Sequence, residues 1–302
     1  MYIALAEGNP MILVVGATGL VGSDVCRRLA KRGEKVRALV RVTSDKEKVE
    51  ALRAAGVELC IGDLKQPESL APACRGVSAI VSTASSTLSR AEGDSIESVD
   101  AAGQLSLAEA AKTALADRFV FVSFRQPKGI SVPLAEAKAH VENAIAGMNF
   151  TTIQASWFME VWLGPHLGFD YANATARIYG PGTSPISWVS SGDVAEMCVL
   201  ALQNPAANRR TIEFGGPEQL SPLEVVARFE KIGGKPFKVE HVPEEFLRAQ
   251  FAAATDSMQK SFAALMLGYL HGDAMEMASI QKEFGIKLKS VDDYAHEALG
   301  TQ

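Results

Sequence analysis

No apolar run in the chain approaches the roughly 20 residues that cross a bilayer, so no membrane partner is expected. Positive charge is not in excess either. The 30 lysines and arginines stand against 35 acidic residues, a net charge of -5, which gives no reason to expect nucleic acid or an anionic lipid surface as partner. Residues 1–10 lack the basic patch and apolar stretch of a secretory signal and read as a short tail before the first strand. The four cysteines, Cys26, Cys60, Cys74 and Cys198, have no metal-ligand spacing. Reduced core thiols in a cytoplasmic protein are expected, and no metal site. Repeats and low-complexity linkers are absent from a 302-residue sequence that can bury a sizeable core as one unit or two.

What is present is alternation. Residues 12–15 read as a strand, and Leu20 opens a helix to about Arg32 with Val21, Val25 and Leu29 four apart on one face. Further strands are expected at 35–40, 57–61, 79–82, 118–123 and 150–154, with helices near 44–55, 67–74, 96–115 and 133–146 between them. Ser44 heads the second helix in a capping-box pattern, Ser44-Asp-Lys-Glu47. Such β–α alternation predicts an α/β fold, a Rossmann-type doubly wound parallel sheet over residues 11–155. From residue 156 the chain turns aromatic and glycine-broken, then mostly helical, with Asp193 expected as the cap of a helix to Leu202. A smaller, mainly helical C-terminal substrate lobe is expected over 156–302, with some segments returning to the Rossmann sheet.

Between the first strand and the first helix stands Gly16-Ala-Thr-Gly-Leu-Val-Gly22. Glycines there permit a tight turn and let backbone approach a diphosphate, while the helix start offers N–H groups and a positive dipole end. Gly16, Thr18, Gly19, Leu20, Val21 and Gly22 are therefore expected to hold a dinucleotide. The second strand tests which one. An NAD site places an acid about 20 residues after the glycines, to accept from the ribose 2′-hydroxyl. Here Arg41 stands nineteen residues after Gly22. A guanidinium grips a 2′-phosphate that a carboxylate would repel, so NADP(H) is expected as cofactor. Arg37 lies deeper along the same strand and is the weaker candidate. Ser44 could add a hydroxyl contact. Asp63, followed by Leu64, could accept from the adenine amino group or cap its own turn. Thr83, Ala84 and Ser85 end the fourth strand with small residues across which a cofactor backbone can lie.

These motifs, with Gly62-Asp-Leu64, Val99-Asp100, Phe119-Val-Phe-Val-Ser123, Val189-Ser-Ser-Gly-Asp-Val-Ala195 and Phe214-Gly-Gly-Pro-Glu218, resemble an atypical short-chain dehydrogenase/reductase of the NmrA-like group. That group includes isoflavone-reductase-like enzymes, NAD(P)H-dependent quinone reductases and non-catalytic redox-sensing regulators. The wider superfamily uses a serine and a Tyr-x-x-x-Lys motif. Here Ser123 and Lys138 match, but Leu134 fills the tyrosine position and cannot donate a proton. Isoflavone-reductase-like members also dispense with that tyrosine, and Lys138 resembles their retained lysine. The resemblance thus implies catalytic roles for Lys138 and Ser123, and Lys138 could also bind the cofactor by hydrogen-bonding the nicotinamide ribose. It also implies a nicotinamide neighbour at Phe158.

Trp157 and Trp162 are expected either to wall an apolar substrate cavity with Phe158 or to pack between the lobes. His166 and Tyr179 are alternative proton donors, and Glu142 with Lys138 has the alternative reading of an exposed helix pair. The expectation is an NADPH-dependent reductase of a small, largely apolar acceptor, such as a quinone, an enone or a phenolic-type carbonyl. Such electron-poor acceptors demand less of a dedicated acid. The alternative is a non-catalytic NADP-binding sensor with a protein partner. Nothing in the sequence sets an oligomeric state.

Overall fold

The structure, a computed structural model, describes residues 10–89 and 91–301. Of the tail expected over residues 1–10, the first nine lie outside the described residues. The first half runs β1 (Met11–Val15), α1 (Leu20–Lys31), β2 (Lys35–Val40), α2 (Lys46–Ala54), β3 (Glu58–Ile61), α3 (Leu70–Cys74), β4 (Val77–Ser82), α4 (Gln104–Thr113), β5 (Arg118–Ser123), α5 (Pro133–Ile145) and β6 (Phe150–Ala155). The second half adds α6 (Met159–Trp162), β7 (Phe169–Asp170), β8 (Thr175–Tyr179), α7 (Ser191–Gln203), β9 (Arg210–Phe214), α8 (Pro222–Gly233), β10 (Lys238–Val242), α9 (Glu244–Ala253), α10 (Ser257–His271), α11 (Ala278–Phe284) and α12 (Val291–Leu299).

Seven parallel strands form the main sheet in the order β3-β2-β1-β4-β5-β6-β9. The order reverses between β1 and β4, and at such a switch point the connecting loops part to leave a crevice beyond the strands' carboxyl ends. The unbroken apolar run of β1 follows from burial on both faces. Ile12 and Val14 pack with Val25 and Leu29 of α1 and Val194 and Cys198 of α7, while Leu13 and Val15 pack with Leu70, Leu107 and Val141 on the other side. Each such fully buried side chain contributes roughly 1.5–3 kcal/mol. A three-stranded sheet, β10-β8-β7, backs a second core in which Trp188, Tyr269, Phe229 and Leu247 are buried.

Three local readings need correction. The cap of α2 is Asp45, whose side chain accepts from Lys48 N at 3.0 Å, while Ser44 Oγ accepts from Arg41 N at 2.9 Å. The cap of α7 is Ser190, not Asp193. Glu160 takes the Ser191 amide at 3.0 Å, so the helix begins earlier, and Asp193 accepts from Lys289 N at 2.8 Å. Burial pushes the Asp193 carboxyl up to about 6. The helix expected from residue 96 starts with a wide π-helical stretch, Ile96–Gly103, before α4. The sequence reading placed no helix near residue 291, although Ser290 and Asp293 form a full capping box there.

Candidate functional site

A cavity of about 1590 Å³ opens over the carboxyl ends of β1, β2, β4, β5 and β6. At its floor Gly16 has φ +84°, and Gly19 N donates to Gly16 O at 2.9 Å, closing the turn. A Cβ on Gly16 would stand 2.7 Å from Ala84 N, and one on Gly22 would stand 2.2 Å from Gly16 O. Side chains are thus excluded where β1 turns into α1 against the end of β4. The cap of α1 is Gly19, which has no side chain to satisfy the first amides, and the first turn carries no acid. A diphosphate fits such a start, because unpaired N–H groups and the dipole both favour an anion. Thr18, Gly19, Leu20 and Val21 line the cavity there.

Along the wall formed by β2, β3 and β4, the structure brings together Arg41, Ser44, Asp63, Leu64, Thr83, Ala84 and Ser85. Asp63 Oδ1 accepts from Lys65 N at 2.9 Å, so the turn-capping reading holds while the residue still faces the cavity. Arg37 is turned elsewhere. It donates to Glu58 at 2.6 Å and to the Ala73 and Arg75 carbonyls at 2.8 Å, which removes it as a candidate.

Over β5 stand Ser123 and Lys138. Ser123 is buried and its hydroxyl has no hydrogen-bond partner among the described residues, so it is available to a ligand. Lys138 is not the exposed half of a helix pair. Its side chain is 8% exposed, Nζ donates to Val122 O at 3.2 Å, and it lies 5.1 Å from the centroid of the Phe121 ring. Glu142 instead accepts from Gln154 at 3.1 Å. Burial pushes the Lys138 ammonium below its usual range, against the opposing charges of Asp100 and Glu142.

Asp100, in the Val99-Asp100 pattern, comes from the π-helical stretch. It is fully buried and stands 3.8 Å from Lys138 Nζ. Its Oδ2 accepts from Ser86 N at 2.9 Å and Ser86 Oγ at 2.6 Å, which fixes the carboxylate. The available signal is an acid on the buried face, next to Val99 and four residues after Ile96, since a buried carboxylate needs a partner.

Phe158, Trp157, Trp162 and His166 line the far side of the cavity. Trp157 meets Trp162 edge-on with centroids 4.4 Å apart, and both contact Tyr269. The two readings of these tryptophans therefore coexist. His166 sits on the exposed turn Pro165–Leu167. Tyr179 is buried and its hydroxyl donates to Leu167 O at 3.1 Å, so it does not supply the missing phenol. Leu134 lines the cavity where the superfamily has its tyrosine. The sequence reading missed Arg125 and Asp273, which hydrogen-bond each other at the cavity wall, with Ser156 Oγ donating to Asp273 Oδ2 at 3.0 Å.

This geometry has relatives. An NAD(P)H azoreductase of Xenophilus azovorans is 31% identical over 85% of this chain and 85% of its own. The photosystem II assembly factor Ycf39 of Cyanophora paradoxa is 31% identical over 78% of this chain and 73% of its own. Among solved structures, the triphenylmethane reductase of Citrobacter sp. complexed with NADP(H) superposes with a TM-score of 0.77 at 21% identity, covering 95% of this chain and all of that one. The NmrA-like family model matches residues 8–295, nearly the whole described fold, and the chain belongs to that family.

Proposed function

We propose that the protein is an NADPH-dependent reductase of a small, largely apolar acceptor: a quinone, an enone or a phenolic-type carbonyl. The observation that carries this reading is the buried Lys138 together with the Ser123 hydroxyl, which has no partner among the described residues, both in the same cavity as the glycine turn. The azoreductase relative and the NADP(H)-bound triphenylmethane reductase fold support it by their names.

In this reading residues 11–155 hold the cofactor and residues 156–302 supply most of the acceptor side. The amides of Gly16–Gly22 and the start of α1 bind the diphosphate, with Arg41 and Ser44 at the 2′-phosphate. Asp63 and Leu64 flank the adenine, Thr83, Ala84 and Ser85 carry the middle, and Phe158 stands beside the nicotinamide. NADPH, when bound, supplies the hydride. Ser123 orients the acceptor oxygen by hydrogen bonding. Lys138 holds the proton at Nζ, with an acidity raised by burial, and delivers it directly or through water to the oxygen that gains negative charge. Asp100 keeps that ammonium in place. Trp157, Trp162 and Phe158 exclude water and receive a flat apolar ring, with His166 at the rim.

A second reading, an NADP-binding protein that acts by docking to a partner, is favoured by the Ycf39 relative and by Leu134. NADPH offered with a panel of quinones and enones, followed at the nicotinamide absorbance, separates the two. Turnover is expected. Tight NADPH binding with no turnover on any acceptor would favour the partner-binding reading. Arg41→Ala checks the cofactor half: NADPH affinity should fall about 10-fold or more with NADH affinity little changed, since a charge-assisted hydrogen bond is worth about 1.5–3 kcal/mol. An unchanged ratio in calorimetry would mean that another residue reads the phosphate.

A further inference from the structure

Arg41 is already engaged. Its Nη1 donates to Asp94 Oδ2 at 2.6 Å, and Asp94, which also lines the cavity, reaches it from the connection that follows β4. The Asp94 side chain is 3% exposed and the Arg41 side chain 34%. Lys65, which does not line the cavity, steadies Asp94 from behind: its Nζ stands 2.7 Å from Asp94 Oδ1 and donates to Glu92 O at 2.7 Å. The Ser89 hydroxyl also donates to Oδ2. Burial disfavours the charged form of Asp94, but the Lys65, Ser89 and Arg41 contacts outweigh it and hold the carboxyl below its usual range.

Resting on the cofactor reading above, we propose that Asp94 is a built-in counter-ion that competes with the cofactor's 2′-phosphate for Arg41, and so sets the balance between phosphorylated and unphosphorylated dinucleotide. A phosphate dianion placed on Arg41 meets the carboxylate that now occupies Nη1. Like charges sharing one guanidinium repel, so the phosphate must displace Asp94 or bind with a penalty. Displacement is resisted, because Lys65 holds the loop by the Glu92 carbonyl as well as by the carboxylate. An unphosphorylated ribose meets no such conflict, since its 2′-hydroxyl carries no charge to oppose the carboxylate. Asp94 is thus a specificity-determining residue that no spacing rule from the glycines would find.

The test compares adenosine 2′,5′-bisphosphate with adenosine 5′-monophosphate, which differ by the 2′-phosphate alone, in calorimetric titrations of the whole chain. Asp94→Asn should tighten the bisphosphate about 10-fold, the effect of removing one competing charge contact, and move the monophosphate less than about 2-fold. The same substitution in an Arg41→Ala background should give no gain, because nothing remains to compete for. Equal changes for both ligands, weaker bisphosphate binding, or an identical gain without Arg41 would each overturn the inference while leaving the cofactor reading intact. Monophosphate binding by the variant shows that its site has folded. If the unaltered protein binds neither ligand, the cofactor reading fails and this inference fails with it.

Discussion

Alanine in place of Gly22 is expected to abolish NADPH binding, with a loss of at least about 100-fold in affinity, near 3 kcal/mol. The added Cβ would stand 2.2 Å from Gly16 O, 2.8 Å from Gly16 C and 2.7 Å from Thr83 Oγ1. Neither side can withdraw. Gly16 follows β1, whose Val15 carbonyl accepts from Thr83 N at 2.9 Å, and α1 is fixed by the fully buried Val25 and Leu29. The turn must open, and amides that converged on one point diverge. The overpacking also costs about 1–3 kcal/mol of stability, read as a lower melting temperature. Gly147→Ala serves as the control, since a Cβ there meets nothing within 4 Å. Calorimetry on both variants checks the contrast. Retained binding by Gly22→Ala would show that the glycine turn does not hold the cofactor.

Lys138→Met should lower turnover by about 10²–10⁴-fold, the usual worth of a positioned acid. NADPH affinity should change much less. Methionine keeps an apolar stem against Phe121 but leaves Asp100, fully buried, without its cation. Breaking a buried pair on one side costs about 3–5 kcal/mol, so the single variant should also unfold at lower denaturant. Adding Asp100→Asn should restore much of the stability and none of the turnover. Because burial lowers the Lys138 pKa, kcat/KM should fall as pH rises through that depressed value and the ammonium loses its proton. That limb should vanish in the methionine variant. Stopped chemistry with an unchanged pH profile in the remainder would assign Lys138 a purely structural part.

Local signals carried far in this sequence. The run into Gly16-Ala-Thr-Gly-Leu-Val-Gly22, the four-residue spacing of Val21, Val25 and Leu29, and the β–α alternation each reflect short-range geometry, and the parallel sheet followed from them. Caps slipped where residues of the same chemistry stand side by side. Ser44 competes with Asp45, and Ser190 precedes Asp193, so distant partners such as Glu160 and Lys289 decide which one caps. Lys138 had the alternative reading of an exposed helix pair because Glu142 lies four residues on. Yet α5 is covered by α10, with Ser261 Oγ accepting from Leu134 N at 3.0 Å, and that covering is a long-range event. The polar pairs that shape the cavity were the least legible. Asp94 with Arg41, and Asp273 with Arg125, are separated by 53 and 148 residues. They meet only because segments far apart in the chain converge at one end of the sheet, and no sequence spacing encodes that.

Titration of NADPH into the intact protein by calorimetry tests the central claim most directly. Saturable heat at a single site, with NADH binding more weakly, is the expected result. An absence of heat with either coenzyme would contradict the account at its foundation.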